Sequence, residues 1–162
     1  MRLKDKVAII TGGGRGIGRA IAIGFAHQGA HIVVAARTES EIIEVADKVK
    51  ALGRESLGIV CDISNEDQVK NLVDLTMRKF NQIDVLINNA GIGSMRPVYA
   101  TQLESFEKVL KVNLTGTFLC TKHVWQPMKN SGGGSIVNVS SLGGLVGYPL
   151  LSAYCASKWG QI

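Results

Sequence analysis

Thr11-Gly12-Gly13-Gly14-Arg15-Gly16-Ile17-Gly18 decides the fold. Just before it, Val7-Ala8-Ile9-Ile10 is an apolar run with the length and composition of a buried strand. Just after it, Ile21, Ala22 and Phe25 continue from Ile17 at helical spacing. The glycines therefore sit where a strand turns into a helix. A helix start carries unpaired N–H groups and partial positive charge, which suits a phosphate. Residues without a Cβ let the backbone turn tightly and approach that anion closely. The pattern is T-G-x-x-x-G-x-G. Arg19 and Ala20 stand where a P-loop needs Lys and Ser or Thr, and G-x-G-x-x-G fits these glycines in no register.

Outward from this turn, strand-like stretches at 6–11, 31–36, 57–61, 84–88 and 135–140 alternate with helix-like ones. The helical patterns cover 17–28, 39–52, 65–80, 101–130 (two helices or one bent one) and 152 onward. Such alternation predicts right-handed βαβ crossovers and a parallel sheet with helices on both faces. The strands are short apolar blocks, so they are expected to be buried, Ile136-Val137-Asn138-Val139 included. Gly29 and Gly53 are expected to end the first two helices. Thr38 and Ser64 precede the next helical patterns, with Glu41 and Asp67 three places later as in capping boxes. Ser131-Gly132-Gly133-Gly134 reads as a plain flexible connector.

The 162 residues suit one domain, and 46% hydrophobic content with 19 glycines and 3 prolines excludes a disordered chain. No apolar run approaches the ~18–20 residues of a membrane helix, and no secretory h-region is visible, so the cytoplasm is the expected compartment. Cys61, Cys120 and Cys155 are far apart and read as reduced, partly buried thiols. His27, His31 and His123 lack ligand spacing, so no metal site is expected. The +5 charge comes from 18 scattered Lys and Arg, with Arg78-Lys79 the one adjacent pair. That pattern argues against nucleic acid and leaves room for a small polyanion.

Five stretches carry candidate chemistry. The second strand ends at Ala36-Arg37-Thr38. An acidic residue at that place binds the 2′-hydroxyl of NAD ribose. Here Ala36 takes the position, and Arg37, joined by Arg15, can pair a 2′-phosphate. The reading favours NADP(H), with NAD(H) as the other option. Asp62, followed by Ile63, either meets an adenine amino group or caps the helix after Ser64. In Asn88-Asn89-Ala90-Gly91, Asn88 is expected to hold strand ends, and Asn89, Ala90 and Gly91 to line the cofactor. Ser140-Ser141 places a hydroxyl at the sheet's carboxyl edge. Tyr154 and Lys158 lie four apart, one above the other on a helix face. An ammonium beside a phenol favours the phenolate, which makes Tyr154 a proton donor or acceptor for a carbonyl/alcohol pair. Ser141 can bond the same substrate oxygen, and Lys158 can reach ribose hydroxyls.

Taken in order, T-G-G-G-R-G-I-G, Asp62, N-N-A-G at 88–91, Asn113 in K-V-N-L-T-G, S-S at 140–141 and Y-C-A-S-K at 154–158 are highly specific. From residue 6 onward the chain resembles the classical short-chain dehydrogenase/reductase (SDR) family. The resemblance implies α/β architecture: a Rossmann-type doubly wound parallel sheet forming a single NAD(P)-binding domain over 1–162. It implies hydride transfer between the nicotinamide and a carbonyl or carbinol carbon. By position, Tyr154 is the acid/base, and Lys158 tunes it and holds the nicotinamide ribose. Ser141, not Ser140, orients substrate. Asn113 bends a helix and holds a water in a proton relay. Gly12, Gly16 and Gly18 match the pyrophosphate turn and Asp62 the adenine contact, with Ile17 and Ile63 as further cofactor contacts. The general pattern is similar to the 3-oxoacyl-carrier-protein reductase and sugar-dehydrogenase branches.

Family members continue well beyond position 162. The sheet is therefore expected to be incomplete at its C-terminal side, with 135–140 an unpaired edge. The lid and much of the subunit interface are expected further on, with little turnover from these residues alone. The full-length form is expected to be a homo-oligomer, dimer or tetramer. The rival reading is a non-catalytic nucleotide-binding or redox-sensing module on the same fold, or an inactive truncated fragment. A sensor has no need for Ser141, Tyr154 and Lys158 together.

Overall fold

The computed structural model describes residues 1–162. Five strands form one parallel sheet: β1 (Val7–Thr11), β2 (His31–Ala36), β3 (Ser56–Val60), β4 (Val85–Asn88) and β5 (Ser135–Asn138). Their order is β3-β2-β1-β4-β5. Successive strand residues point to opposite faces. Ala8 and Ile10 therefore join one core with α1 (Gly16–His27) and α2 (Glu39–Ala51) through Ala22, Ala26, Ile42, Val45 and Val49. Val7 and Ile9 join the other with α3 (Glu66–Phe80) and α5 (Gly116–Asn130) through Val69, Leu72, Leu119 and Val124. The doubly wound α/β fold expected from the alternation is the fold observed. The chain leaves β1 for β2 on one side and returns to β4 on the other. That reversal opens a crevice at the carboxyl ends of β1 and β4.

The stretch 101–130 resolves into α4 (Leu103–Leu110), a π-helical turn (Lys111–Thr115) and α5, with right-handed helical dihedrals at each junction. It is one helix with an inserted π-turn at Asn113. A π-turn leaves main-chain groups free for other partners. The last helix is α6 (Ser152–Trp159).

Four local expectations need correction. β5 is the unpaired edge expected, not a buried strand: it pairs only with β4, and Val137 is 48% exposed. Ser64 does not cap α3; Asn65 does, accepting from the N–H groups of Asp67 and Gln68 at 3.0 and 3.2 Å. Thr38 stands at the N-cap of α2, but its side chain makes no capping bond. Gly29 (φ +93°) and Gly53 (φ +75°) do follow the ends of α1 and α2 in left-handed conformation. Gly134 is more than connector: a Cβ there would lie 2.8 Å from the Met128 sulfur. No helix is long and apolar enough to cross a membrane, and no three His, Cys, Asp or Glu side chains converge as metal ligands.

Glu66, the first residue of α3, fastens that helix to α5. Its carboxylate accepts from Lys122 Nζ and meets His123 Nε2, both at 2.9 Å. Lys122 first, then His123, hold the Glu66 carboxyl down to about 2 from its ordinary 4.5. A carboxyl with a lowered folded-state pKa stabilises the fold at neutral pH and stops doing so as pH falls from about 4.5 through about 2. Glu66→Gln is therefore expected to flatten the acid limb of stability in that window, measured by urea unfolding at stepped pH. An identical pH dependence in the variant would refute the clamp.

Candidate active site

The glycine turn is built as the sequence suggests, and its supports come from β4. Thr11 Oγ1 donates to Ile87 O at 3.2 Å and accepts from the N–H groups of Asn89 and Ala90 at 3.0 and 3.1 Å. Asn89 Nδ2 donates to the carbonyls of Thr11 and Gly12 at 3.0 and 3.2 Å. So Asn89 lines the cavity while its amide is occupied in bracing the turn. Gly12 (φ +63°) needs the left-handed conformation and has no space besides: a Cβ would lie 2.9 Å from Ala90 Cα. Gly18 is buried at the turn-to-helix join, whereas Gly16 and Ile17 are exposed at the start of α1. No side chain caps α1, and the N–H groups of Ile17 and Gly18 have no acceptor in the chain.

A cavity of about 230 Å³ runs along the carboxyl ends of β1, β2, β3 and β4. It brings together Gly12, Arg15, Arg37, Asp62, Ile63, Asn89, Ala90 and Gly91, all expected as cofactor contacts. Neither guanidinium is paired with a carboxylate. Asp62 does not cap α3: its carboxylate accepts from Ser64 N–H at 2.9 Å and Ser64 Oγ at 2.7 Å. Burial pushes the Asp62 carboxyl up, and the two Ser64 bonds with Arg37 bring it to a net position below the usual range. Glu41 also lines the cavity, its carboxylate beside Gly14. The strand-end reading overlooked it, since it lies a turn into α2. Asn88 holds strand ends as expected, donating to Asn138 Oδ1 at 3.0 Å and Thr121 Oγ1 at 3.2 Å.

The acid/base candidates gather next door, around Gly91 and Gly93. A Cβ on Gly91 would lie 3.3 Å from Asn113 Oδ1 and 3.8 Å from Lys158 Nζ. The half-buried Tyr154 ring packs between Gly143 and Gly93, 3.3 and 3.7 Å from where their Cβ atoms would stand. The Lys158 ammonium is 5.8 Å from the Tyr154 ring centroid. Ser141 Oγ accepts from Gly143 N–H at 3.1 Å, so that serine and the ring share one turn. Ser140 instead donates to Lys158 O at 3.0 Å, a purely architectural bond.

Asn113 is fully buried and clamps the loop after β4: its Oδ1 accepts from Ile92 N–H at 2.8 Å and its Nδ2 donates to Ile92 O at 2.9 Å. The same Nδ2 donates to Ser157 Oγ of α6 at 2.9 Å. Its main-chain carbonyl accepts from Thr117 Oγ1 at 2.7 Å and Gln161 Nε2 at 2.8 Å. A carbonyl oxygen has two lone pairs, and both are taken. Lys158 is 4% exposed and donates to Val139 O at 2.7 Å and Gln161 Oε1 at 2.8 Å. Burial alone pushes its ammonium below the usual lysine range. Two of its three N–H bonds are used internally, which leaves one for a ligand. Sequence reasoning missed Thr11 and Gln161. For Gln161 a signal existed: with Tyr154 and Lys158 it follows the i, i+4, i+7 spacing of one helix face. All three cysteines are free and buried, and burial raises Cys61 to about 11 and Cys120 to about 12.

Residues 6–162 match the short chain dehydrogenase family, and the chain belongs to it. The chain is 38% identical to a 3-oxoacyl-[acyl-carrier-protein] reductase of Synechocystis sp. over 161 residues, covering 99% of this chain and 65% of the relative. Its structure is similar to that of a levodione reductase (TM-score 0.95, 37% identity, 99% of this chain and 63% of the other). It is similar as well to an NAD+-bound xylitol dehydrogenase (TM-score 0.96, 35% identity, 99% of this chain and 62% of the other). The chain thus spans 62–65% of the length of these relatives.

Proposed function

We propose that the protein is an oxidoreductase that moves a hydride between NADP(H) and a carbonyl or secondary alcohol, with Tyr154 as acid/base. The observation that carries the reading is the position of Gly91. It lines the strand-end cavity on one side and abuts Asn113 and Lys158 on the other, so a ligand along this rim would span both halves. The residues present fit a dinucleotide. Gly16, Ile17 and Gly18 offer main-chain N–H groups and the positive end of α1 to a diphosphate, while Gly12, its own N–H bonded to Ala35 O at 2.7 Å, keeps the turn tight. Asp62 and Ile63, which line the cavity, would meet the adenine, and Asn89, Ala90 and Gly91, which line it too, would lie along the path to the ring. Tyr154 and Lys158 would hold the nicotinamide ribose. Bound there, the cofactor supplies or accepts the hydride. Tyr154 Oη gives its proton to the substrate oxygen during reduction and takes it back during oxidation. Ser141 orients that oxygen. The Lys158 charge favours the phenoxide left behind, and Asn113 keeps the loop after β4 at its station.

Arg15 and Arg37, both unpaired in the cavity, support NADP(H): a 2′-phosphate accepts bidentate, charge-assisted bonds from such groups. Titration of the protein with NADPH and NADH side by side tests this. NADPH is expected to bind about tenfold tighter, the equivalent of roughly 1.4 kcal/mol. Arg15→Ala with Arg37→Ala is expected to bring the two within about twofold. Equal or tighter NADH binding by the wild type overturns the preference. Glu41 supports a second reading, NAD(H), since its carboxylate lines the same cavity and repels a phosphate. The relatives named for a 3-oxoacyl carrier protein and for xylitol support a small ketone, 3-oxoacyl thioester or sugar alcohol as substrate class. We take the 162 residues as one dinucleotide-binding unit of a homo-oligomer. Phe118 and Trp125, 61% and 63% exposed and seven apart on α5, support a partner surface.

A further inference from the structure

We propose that Gln161 is a positioning residue for Lys158, fixing the ammonium beside the Tyr154 ring. The inference takes its catalytic meaning from the dehydrogenase reading above. Its geometry stands apart from it. Gln161 Oε1 accepts from Lys158 Nζ at 2.8 Å. Gln161 Nε2 donates to Asn113 O at 2.8 Å and to Thr117 Oγ1 at 2.9 Å. The amide orientation is fixed by its neighbours: an ammonium only donates and a carbonyl only accepts, so the oxygen must face Lys158 and the NH2 must face α5. Every hydrogen of the amide is used. All four residues are buried: Asn113 0%, Lys158 4%, Thr117 6% and Gln161 7% exposed.

The chemistry of Lys158 demands such a partner. No carboxylate pairs with it, and burial is the one cause acting on its titration. The elements packed around it present neutral groups: Val139 O after β5, Gly91 after β4, Asn113 O in the π-turn, and Tyr154 on its own helix. Glu104, Glu107 and Lys108 of α4 and Lys111 of the π-turn are exposed. A buried ammonium without acceptors costs several kcal/mol, so two neutral oxygens at 2.7 and 2.8 Å set where it can rest. One comes from the β5 end and the other is tethered to α5. Nζ is therefore triangulated between the sheet edge, the π-turn and α6. Without Gln161 it keeps only the Val139 carbonyl.

The test is the titration of Lys158 in the protein without cofactor, followed by NMR of ¹³C-labelled lysine and assigned with Lys158→Met. Gln161→Met keeps length and shape and removes the acceptor, so Lys158 should titrate about one pH unit lower. Gln161→Glu places an anion there, so Lys158 should titrate about one pH unit higher. Opposite shifts support the proposal; an unmoved Lys158 in both variants overturns it, because a residue that merely docks α6 would leave the ammonium's environment alone. The wild type gives a reading that needs no variant: the Gln161 side-chain NH2 should exchange slowly with water, and free exchange overturns the proposal. In the whole protein the pH profile of hydride transfer should shift in Gln161→Met. If Lys158 shifts as expected while the whole protein transfers no hydride, the positioning role stands and the dehydrogenase reading falls.

Discussion

Tyr154→Phe will cost the whole protein about 10²–10⁴-fold in hydride transfer and leave cofactor affinity within about twofold. The substitution deletes one oxygen and keeps the ring. That ring packs between the Gly143 turn and Gly93, contacts that phenylalanine preserves. The hydroxyl makes no hydrogen bond within the chain, so no buried partner is orphaned and stability should change by less than about 0.5 kcal/mol. The loss falls on the proton step, worth roughly 3–5 kcal/mol of barrier at these rate factors. Side-by-side turnover and cofactor titration check it. A fully active Tyr154→Phe would remove the phenol from the chemistry. A chain that binds cofactor and never turned over would fit the sensing module instead.

Gly18→Ala should destabilise the fold by about 2 kcal/mol and weaken cofactor binding at least about tenfold. Gly18 has no positive φ, so the backbone itself tolerates alanine. The obstacle is space. A Cβ there would collide with the Gly12 carbonyl and lie 2.5 Å from Asn89 Nδ2. Relief requires the turn to lift from α1 or Asn89 to release the Thr11 and Gly12 carbonyls, at about 0.5–1.5 kcal/mol per bond. Either movement displaces the N–H groups proposed to receive the diphosphate. Alanine's better helix propensity, about 1 kcal/mol, offsets part of the cost. Gly24→Ala in the same helix isolates that gain: nothing lies within 4 Å of its Cβ, so it should be neutral or stabilising. Urea unfolding and cofactor titration of both variants decide the matter. A Gly18→Ala protein as stable and as tightly binding as wild type would mean that the close approach is not required.

The fold was legible because its cause is local and periodic. The apolar blocks at β1, β2 and β4 need burial on both faces, and intervening helical patterns leave a parallel sheet as the way to bury them. The same logic misjudged the burial of β5, whose Ile136 and Val137 read as core but whose strand, the unpaired edge the resemblance led us to expect, pairs with β4 alone. Pattern reports what a strand can bury, not what arrives to cover it. The π-turn at Asn113 was equally beyond pattern. It rests on side-chain bonds to Ile92, Ser157, Thr117 and Gln161, partners 4 to 48 residues away in sequence.

By itself the sequence determined the element order, the glycine turn, the arginines at the carboxyl ends of the strands and the Tyr154–Lys158 helix face. Each follows from a residue's own chemistry or from spacing within one element. Only the tertiary structure decided which groups are occupied: Asn89 braces the turn, Asp62 turns to Ser64, and Gln161 takes the Asn113 carbonyl and holds Lys158. A hydrogen-bonding group is chosen by whichever partner stands within about 3 Å, and that neighbourhood exists only once distant segments have packed.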